Sequence, residues 1–143
     1  MPVLRRLTLD DHAAILDLWQ RAGLHSIRPE GRDSRSEFEK QFAGGQIAIG
    51  LEEDGKLIGV VIVTNDTRKG WINRLAIDPA YRRHGYGEQL VQAAEDALHD
   101  MGLHLTAAFI EEGNTASLAL FEKLGYAPHQ HLYYVSKRDS ADA

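Results

Sequence analysis

The chain of 143 residues contains no cysteine, which excludes a disulfide framework, a cysteine-ligated zinc and a thiol nucleophile together. No apolar run approaches the roughly 20 residues needed to span a bilayer, and Met1 to Leu9 lacks the apolar core of a secretory signal. A cytoplasmic protein without a membrane partner is the expectation. Positive charge is in short supply: 16 Lys and Arg stand against 21 Asp and Glu, a formal charge of -5. A nucleic-acid partner is therefore not expected, because neutralising phosphates takes a basic face. Repeats, linkers and low-complexity stretches are absent. The seven histidines, His129 and His131 among them, show no His-Glu-x-x-His or other ligand spacing, so no metal is expected either.

What remains is the balance of one soluble domain, 43% hydrophobic and 26% charged, at a length that buries about two-thirds of the unfolded surface. We assign the domain to residues 1–138, with 139–143 as a polar tail. Val3 to Leu7 reads as a strand. Thr8, Asp10 and Asp11 then start a helix with Ile15, Leu18, Trp19 and Ala22 on its apolar face, and Gly23 ends it. A polar loop, His25 to Arg35, precedes a short helix at Ser36 to Phe42. Ile47 to Glu53 and Leu57 to Thr64 form a hairpin across Asp54-Gly55. Trp71 to Ile77 is extended. From Gly85 the period becomes helical, with Leu90, Val91, Ala94, Ala97, Leu98 and Met101 on one face. Leu103 to Ile110 reads as a central strand covered on both faces. A helix from Asn114 buries Leu118, Phe121 and Leu124 and stops at Gly125, and Leu132 to Val135 reads as the last strand. The fold class is α/β (α+β): one mixed, mostly antiparallel sheet flanked by helices.

The chemistry is concentrated at Ile77-Asp78-Pro79-Ala80-Tyr81-Arg82-Arg83-His84-Gly85-Tyr86-Gly87, a basic glycine turn between a strand and a long amphipathic helix. Free N–H groups at a helix start converge on one point, the dipole adds partial positive charge, and glycine admits an oxygen close to the main chain. That is the outline of a phosphate site. A dinucleotide fingerprint would need a glycine where Leu90 stands, and a P-loop needs Gly-Lys-Ser/Thr, which is absent.

Arg82-Arg83-His84-Gly85-Tyr86-Gly87 resembles the Arg/Gln-x-x-Gly-x-Gly/Ala coenzyme loop of the GNAT family of N-acetyltransferases. Asn73 to Pro79 is similar to the fourth strand of that family, and Asn114 to Tyr126 to its last helix. The resemblance implies the GNAT-like acyl-CoA N-acyltransferase fold and acetyl-CoA as cosubstrate. It implies that the amides from Arg83 to Glu88, through His84, Gly85, Tyr86 and Gly87, hold the pyrophosphate beside Arg82. The main chain of Leu75, Ala76 and Ile77 would pair with the pantetheine arm and Asn114 would meet it from the other side. Ser117, Phe121 and Lys123 would lie along the coenzyme, Lys123 near the 3′-phosphate, and an amide near Ile77 would serve as oxyanion donor. The usual tyrosine acid of the last helix is replaced by Phe121, and glutamates that some relatives use as a base fall on Trp71 and Phe109. Tyr126, Tyr133 and Tyr134 are the nearby phenols. Glu111 and Glu112 are the carboxylates left for the base.

The loop His25 to Arg35 stands where the family shapes its acceptor side, and its Arg28 and Arg32 suit an acidic group on a small amino-acid-like amine; a peptide or protein amine is the other acceptor class. Pairing of the last strand with a second copy would give a homodimer. A non-catalytic acyl-CoA sensor is the alternative to an enzyme, because the acid position is empty of a hydroxyl.

Overall fold

The computed structural model describes residues 1–143. One five-stranded sheet runs in the order β1 (Val3–Arg6), β2 (Ile47–Glu53), β3 (Lys56–Asn65), β4 (Gly70–Ile77), β5 (Thr106–Ala108). All pairs are antiparallel except β4 with β5, which is parallel. Helices α1 (His12–Ala22) and α2 (Arg35–Ala43) cover one face, and α3 (Tyr86–Asp100) and α4 (Thr115–Lys123) the other. The mixed, mostly antiparallel sheet expected from the pattern is therefore present.

The alternation of β3 explains the two cores. Val60 and Ile62 point to α1 and α2, where they meet Ile15, Leu18, Trp19 and Phe38. Val61 and Val63 point to α3, where they meet Leu90, Val91 and Leu98. A strand buried on both faces holds the sheet in the middle of the molecule. Removing one such side chain, as in Leu90→Ala, costs about 3 kcal/mol because the void is not refilled. Local signals set the ends of the elements. Thr8 and Asp11 form a capping box on the 3-10 turn Leu9–Asp11 that leads into α1, Ser34 Oγ accepts from the Glu37 amide at the start of α2, and Asp54 and Gly55 both take positive φ in the β2–β3 hairpin.

Several expectations need correction. Leu103 to Ile110 is not a central strand: only Thr106–Ala108 pairs, at the sheet edge, and Leu105 and Phe109 are exposed. Its apolar residues serve separate ends, Leu103 entering the α3 core and Phe109 stacking on Trp71 with ring centres 4.9 Å apart. Leu132 to Val135 forms no strand, and Tyr133 is 96% exposed. Side-chain propensity favours extension there, but a strand exists only where an edge offers it hydrogen bonds. Met101 lies just past the end of α3 and Leu118 faces outward, so both are exposed where burial is expected from the period.

Candidate active site

The site arises from a divergence in the sheet. The β4–β5 ladder ends at Ile72↔Ala108, while β4 continues to Ile77. From Asn73 onward the β5-facing edge of β4 has no strand beside it. β4 also bulges: Ile62 pairs with Asn73 and Val60 with Ala76, leaving Arg74 and Leu75 opposite Val61. Arg74 absorbs the extra residue at φ +50°. Between the open edge of β4, the chain following β5, and α4 lies a cleft of about 1340 Å³.

One end of this cleft is the start of α3. Asp78 closes β4 and fixes the direction of the following loop. It is buried, its carboxylate accepts from the Ala80 amide at 2.9 Å and from Arg21, and Lys56 Nζ lies at 3.5 Å. The Ala80 amide first, with Arg21 and Lys56, holds its carboxyl below the usual carboxylate range against the opposing effect of burial. Arg83 and Gly85 both adopt positive φ, +68° and +77°, which turns successive amides toward one concave point. Gly85 is the residue before α3, a position where its missing Cβ removes the strain that Arg83 carries. At Gly87 a Cβ would stand 3.2 Å from Leu120, so α4 packs against the loop there. The amides of Tyr86, Gly87 and Glu88 open α3 and have no preceding turn to bond. Arg82 donates to the carbonyl of Ala22, His84 stacks on Tyr86, and Lys123 pairs with Glu88 at 3.3 Å. These residues fit a diphosphate: donors and guanidinium groups converge, and Arg82, Arg83 and Gly87 line the cleft.

Along the middle, Leu75, Ala76 and Ile77 form one wall and Asn114, Ser117 and Phe121 the other. Asn114 caps α4, its Oδ1 accepting from the Ser117 amide at 3.2 Å, which leaves its NH2 end for a ligand. Phe121 is buried and meets Tyr126 edge-on. Tyr126 does not supply the missing acid: its hydroxyl donates to Glu95 at 2.6 Å, and burial followed by that bond pushes its pKa upward. Tyr133 is almost fully exposed, and Tyr134 lies against Phe109. Glu111 and Glu112 are exposed residues of the turn before α4, and both line the cleft.

The opposite end is built from the loop between α1 and α2. Its organising residue, Asp33, is only 2% exposed. Arg74 reaches it from the β4 bulge with bonds of 2.5 and 3.3 Å, and Asp33 also accepts from the Arg28 amide at 2.7 Å. The Arg74 guanidinium lies 4.6 Å above the Trp19 ring, and the His12 ring donates to the Asp33 carbonyl. Arg32 lines the cleft here; Arg28 does not, its Nε donating to the carbonyl of Ala141 at 3.1 Å. The Asp142 carbonyl accepts from the Arg32 amide, so the polar tail lies along this loop. Asp33 and Arg74 carry no sequence signal as a pair, since an arginine in a strand and an aspartate in a loop 41 residues earlier announce no contact.

The Acetyltransferase (GNAT) family matches residues 12–126. An acetyltransferase of Pectobacterium atrosepticum is 27% identical over 124 residues, 86% of each chain. The ribosomal protein bS18-alanine N-acetyltransferase of Escherichia coli is 29% identical over 111 residues, 73% of this chain and 75% of that one. Among solved structures, PaiA N-acetyltransferase of Thermoplasma acidophilum in complex with coenzyme A superposes with a TM-score of 0.77 at 17% identity, over 89% and 90% of the two chains, and shares the fold.

Proposed function

Because the chain belongs to the GNAT acetyltransferase family, an acetyl-CoA-dependent N-acetyltransferase, we propose that it acetylates a primary amine by direct attack with both substrates bound. Acetyl-CoA brings an activated thioester; the chain holds it and presents the amine. The observation that carries this reading is the single cleft that joins the amide-rich start of α3, the unpaired edge of β4 and the arginine-bearing loop.

The residues divide the work by chemistry. Amides from Arg83 to Glu88, with Arg82, hold the diphosphate. The main chain of Leu75, Ala76 and Ile77 pairs with the pantetheine arm as an added strand would, and Asn114 bonds it from α4. Ser117 and Phe121 line its path, and Lys123 turns from Glu88 to the 3′-phosphate, an exchange made easy by the low worth of an exposed ion pair. An amide near Ile77 donates to the carbonyl oxygen as charge builds there. Glu111 or Glu112 takes the proton of the ammonium, directly or through water. No side chain is assigned as acid, since a thiolate is stable enough to leave unaided and Phe121 offers no proton. The acceptor is a small amino-acid-like amine or a peptide amine, approached through the loop that bears Arg28 and Arg32.

The test joins calorimetry with acetyl-CoA to a screen of amino-acid, peptide and polyamine acceptors for release of free coenzyme A. Saturable binding with release in the presence of an amine is expected. Binding without release for every acceptor class would leave a carrier sensor in place of an enzyme.

A further inference from the structure

Two buried side-chain N–H groups in the chain have no hydrogen-bond partner, Trp19 Nε1 and Arg32 Nε. Both belong to residues that line the same end of the cleft. A buried donor without a partner costs about 1–3 kcal/mol, and the two along one cleft favour an acceptor oxygen as its occupant. The charge balance agrees. The one buried carboxylate here, Asp33, already accepts from Arg74 and from the Arg28 amide, and stands 3.9 Å from Arg32 Nε, beyond a hydrogen bond. Of the five N–H groups of Arg32, a single Nη2 donation to the Ser26 carbonyl is made, at 2.7 Å. Burial first, then the charge of Arg74, with Arg138 and Arg28 adding less, hold the Arg32 guanidinium below the usual arginine range. An anion there offsets the like charges of Arg74, Arg138 and Arg28 and gives the guanidinium the acceptor that burial denies it.

We propose that the acceptor is a small amine bearing a carboxylate close to its nitrogen, and that Arg32 binds this carboxylate in a pocket shaped by Trp19 and the Asp33–Arg74 pair. The inference rests on the acetyl-transfer reading and narrows its acceptor. Closeness of the two groups follows from Arg74: it sits on the β4 bulge next to Leu75, where the main chain assigned to the acyl carrier begins, and its head lies beside Asp33 and the Ser26 carbonyl that Arg32 also bonds. A carboxylate held there leaves room for only a few bonds between it and the attacking nitrogen. A planar guanidinium fork matches the two oxygens of a carboxylate, which an ammonium would not do. Asp33 and Arg74 act as positioning residues, one fixing the loop and the other fixing Asp33.

Matched substrates test this. Each protein amino acid is offered beside its carboxamide, which keeps the amine and side chain and removes the charge, and release of free coenzyme A is followed. In at least one pair the acid should be used about 10- to 100-fold better by kcat/KM, the worth of a hydrogen-bonded charge. Arg32→Gln should bring that ratio to parity and Arg32→Lys should restore part of it. The ratio is taken within one preparation, so partial unfolding of a variant cancels. Equal use of acid and amide in every pair, or a ratio that Arg32→Gln leaves unchanged, overturns the inference while acetyl transfer stands. Release from no pair overturns it as well, and the peptide and polyamine arms of the preceding screen then decide whether the transfer reading falls too.

Discussion

The two ends of the cleft are made of different materials. At the end we assign to the coenzyme, the proposed donors are main-chain amides of one continuous stretch, from the β4 edge at Leu75 to Glu88 at the opening of α3. At the acceptor end they are side chains drawn from distant parts of the chain: Trp19 on α1, Arg32 and Asp33 in a loop, Arg74 on a bulge, with the tail at Ala141 and Asp142 laid against them. Amides are the same whatever the residue, so a diphosphate site survives as long as the turn keeps its conformation. A site of side chains changes with each substitution. The contrast teaches why one fold can keep a common acyl carrier while its acceptors differ.

The comparison can be broken most severely at the coenzyme end. Gly85→Asp puts a carboxylate at a positive-φ position beside the amides proposed to hold the diphosphate, and should weaken acetyl-CoA binding by about 100-fold or more in calorimetry, since an opposed charge and lost donors together exceed about 3 kcal/mol. At the acceptor end, Asp33→Ala leaves the half-buried Arg74 without its carboxylate partner and the Arg28 amide without its acceptor. Urea denaturation should show a loss of roughly 3 kcal/mol, and the acceptor KM should rise while the acetyl-CoA Kd holds, which would separate the two ends functionally.

Asp78 sharpens the comparison through pH. Its folded-state carboxyl titrates below the ordinary value, which is about 3.9 in an unfolded chain. The stability it contributes is thus fully present above that value and is lost as pH falls through the lower folded-state value. Asp78→Asn should be less stable near neutrality and should show a shallower decline of stability from about pH 5 downward, as read from denaturation midpoints across that range. The smallest effect belongs to Lys123→Ala. Exposed charges are screened, so acetyl-CoA affinity should fall only about 2- to 5-fold, and the difference should vanish at high salt.

Legibility followed the same division. The glycine turn, the helix period after it and the Asp54-Gly55 hairpin are local, and each forms where its pattern stands. The β-branched and aliphatic run Leu57 to Thr64 likewise forms the strand its composition announces; that it is buried on both faces is seen only in the fold. Leu103 to Ile110 and Leu132 to Val135 have the composition of strands, yet one pairs over three residues and the other not at all. Composition describes a side-chain surface, whereas a ladder needs a neighbour at the right distance. Arg28 and Arg32 look equivalent in the loop; the fold turns one to the tail and the other to the cleft.

By itself the order of residues determined the family, the glycine turn before α3 and most helices, because caps, turns and periodicity act within a few residues of each other. Tertiary structure alone decided that β4 and β5 part after Ile72, that Arg74 leaves the strand on a bulge, and that Asp33 receives it. Those outcomes depend on contacts between segments far apart along the chain, and their energies exist only once the sheet has brought the segments together.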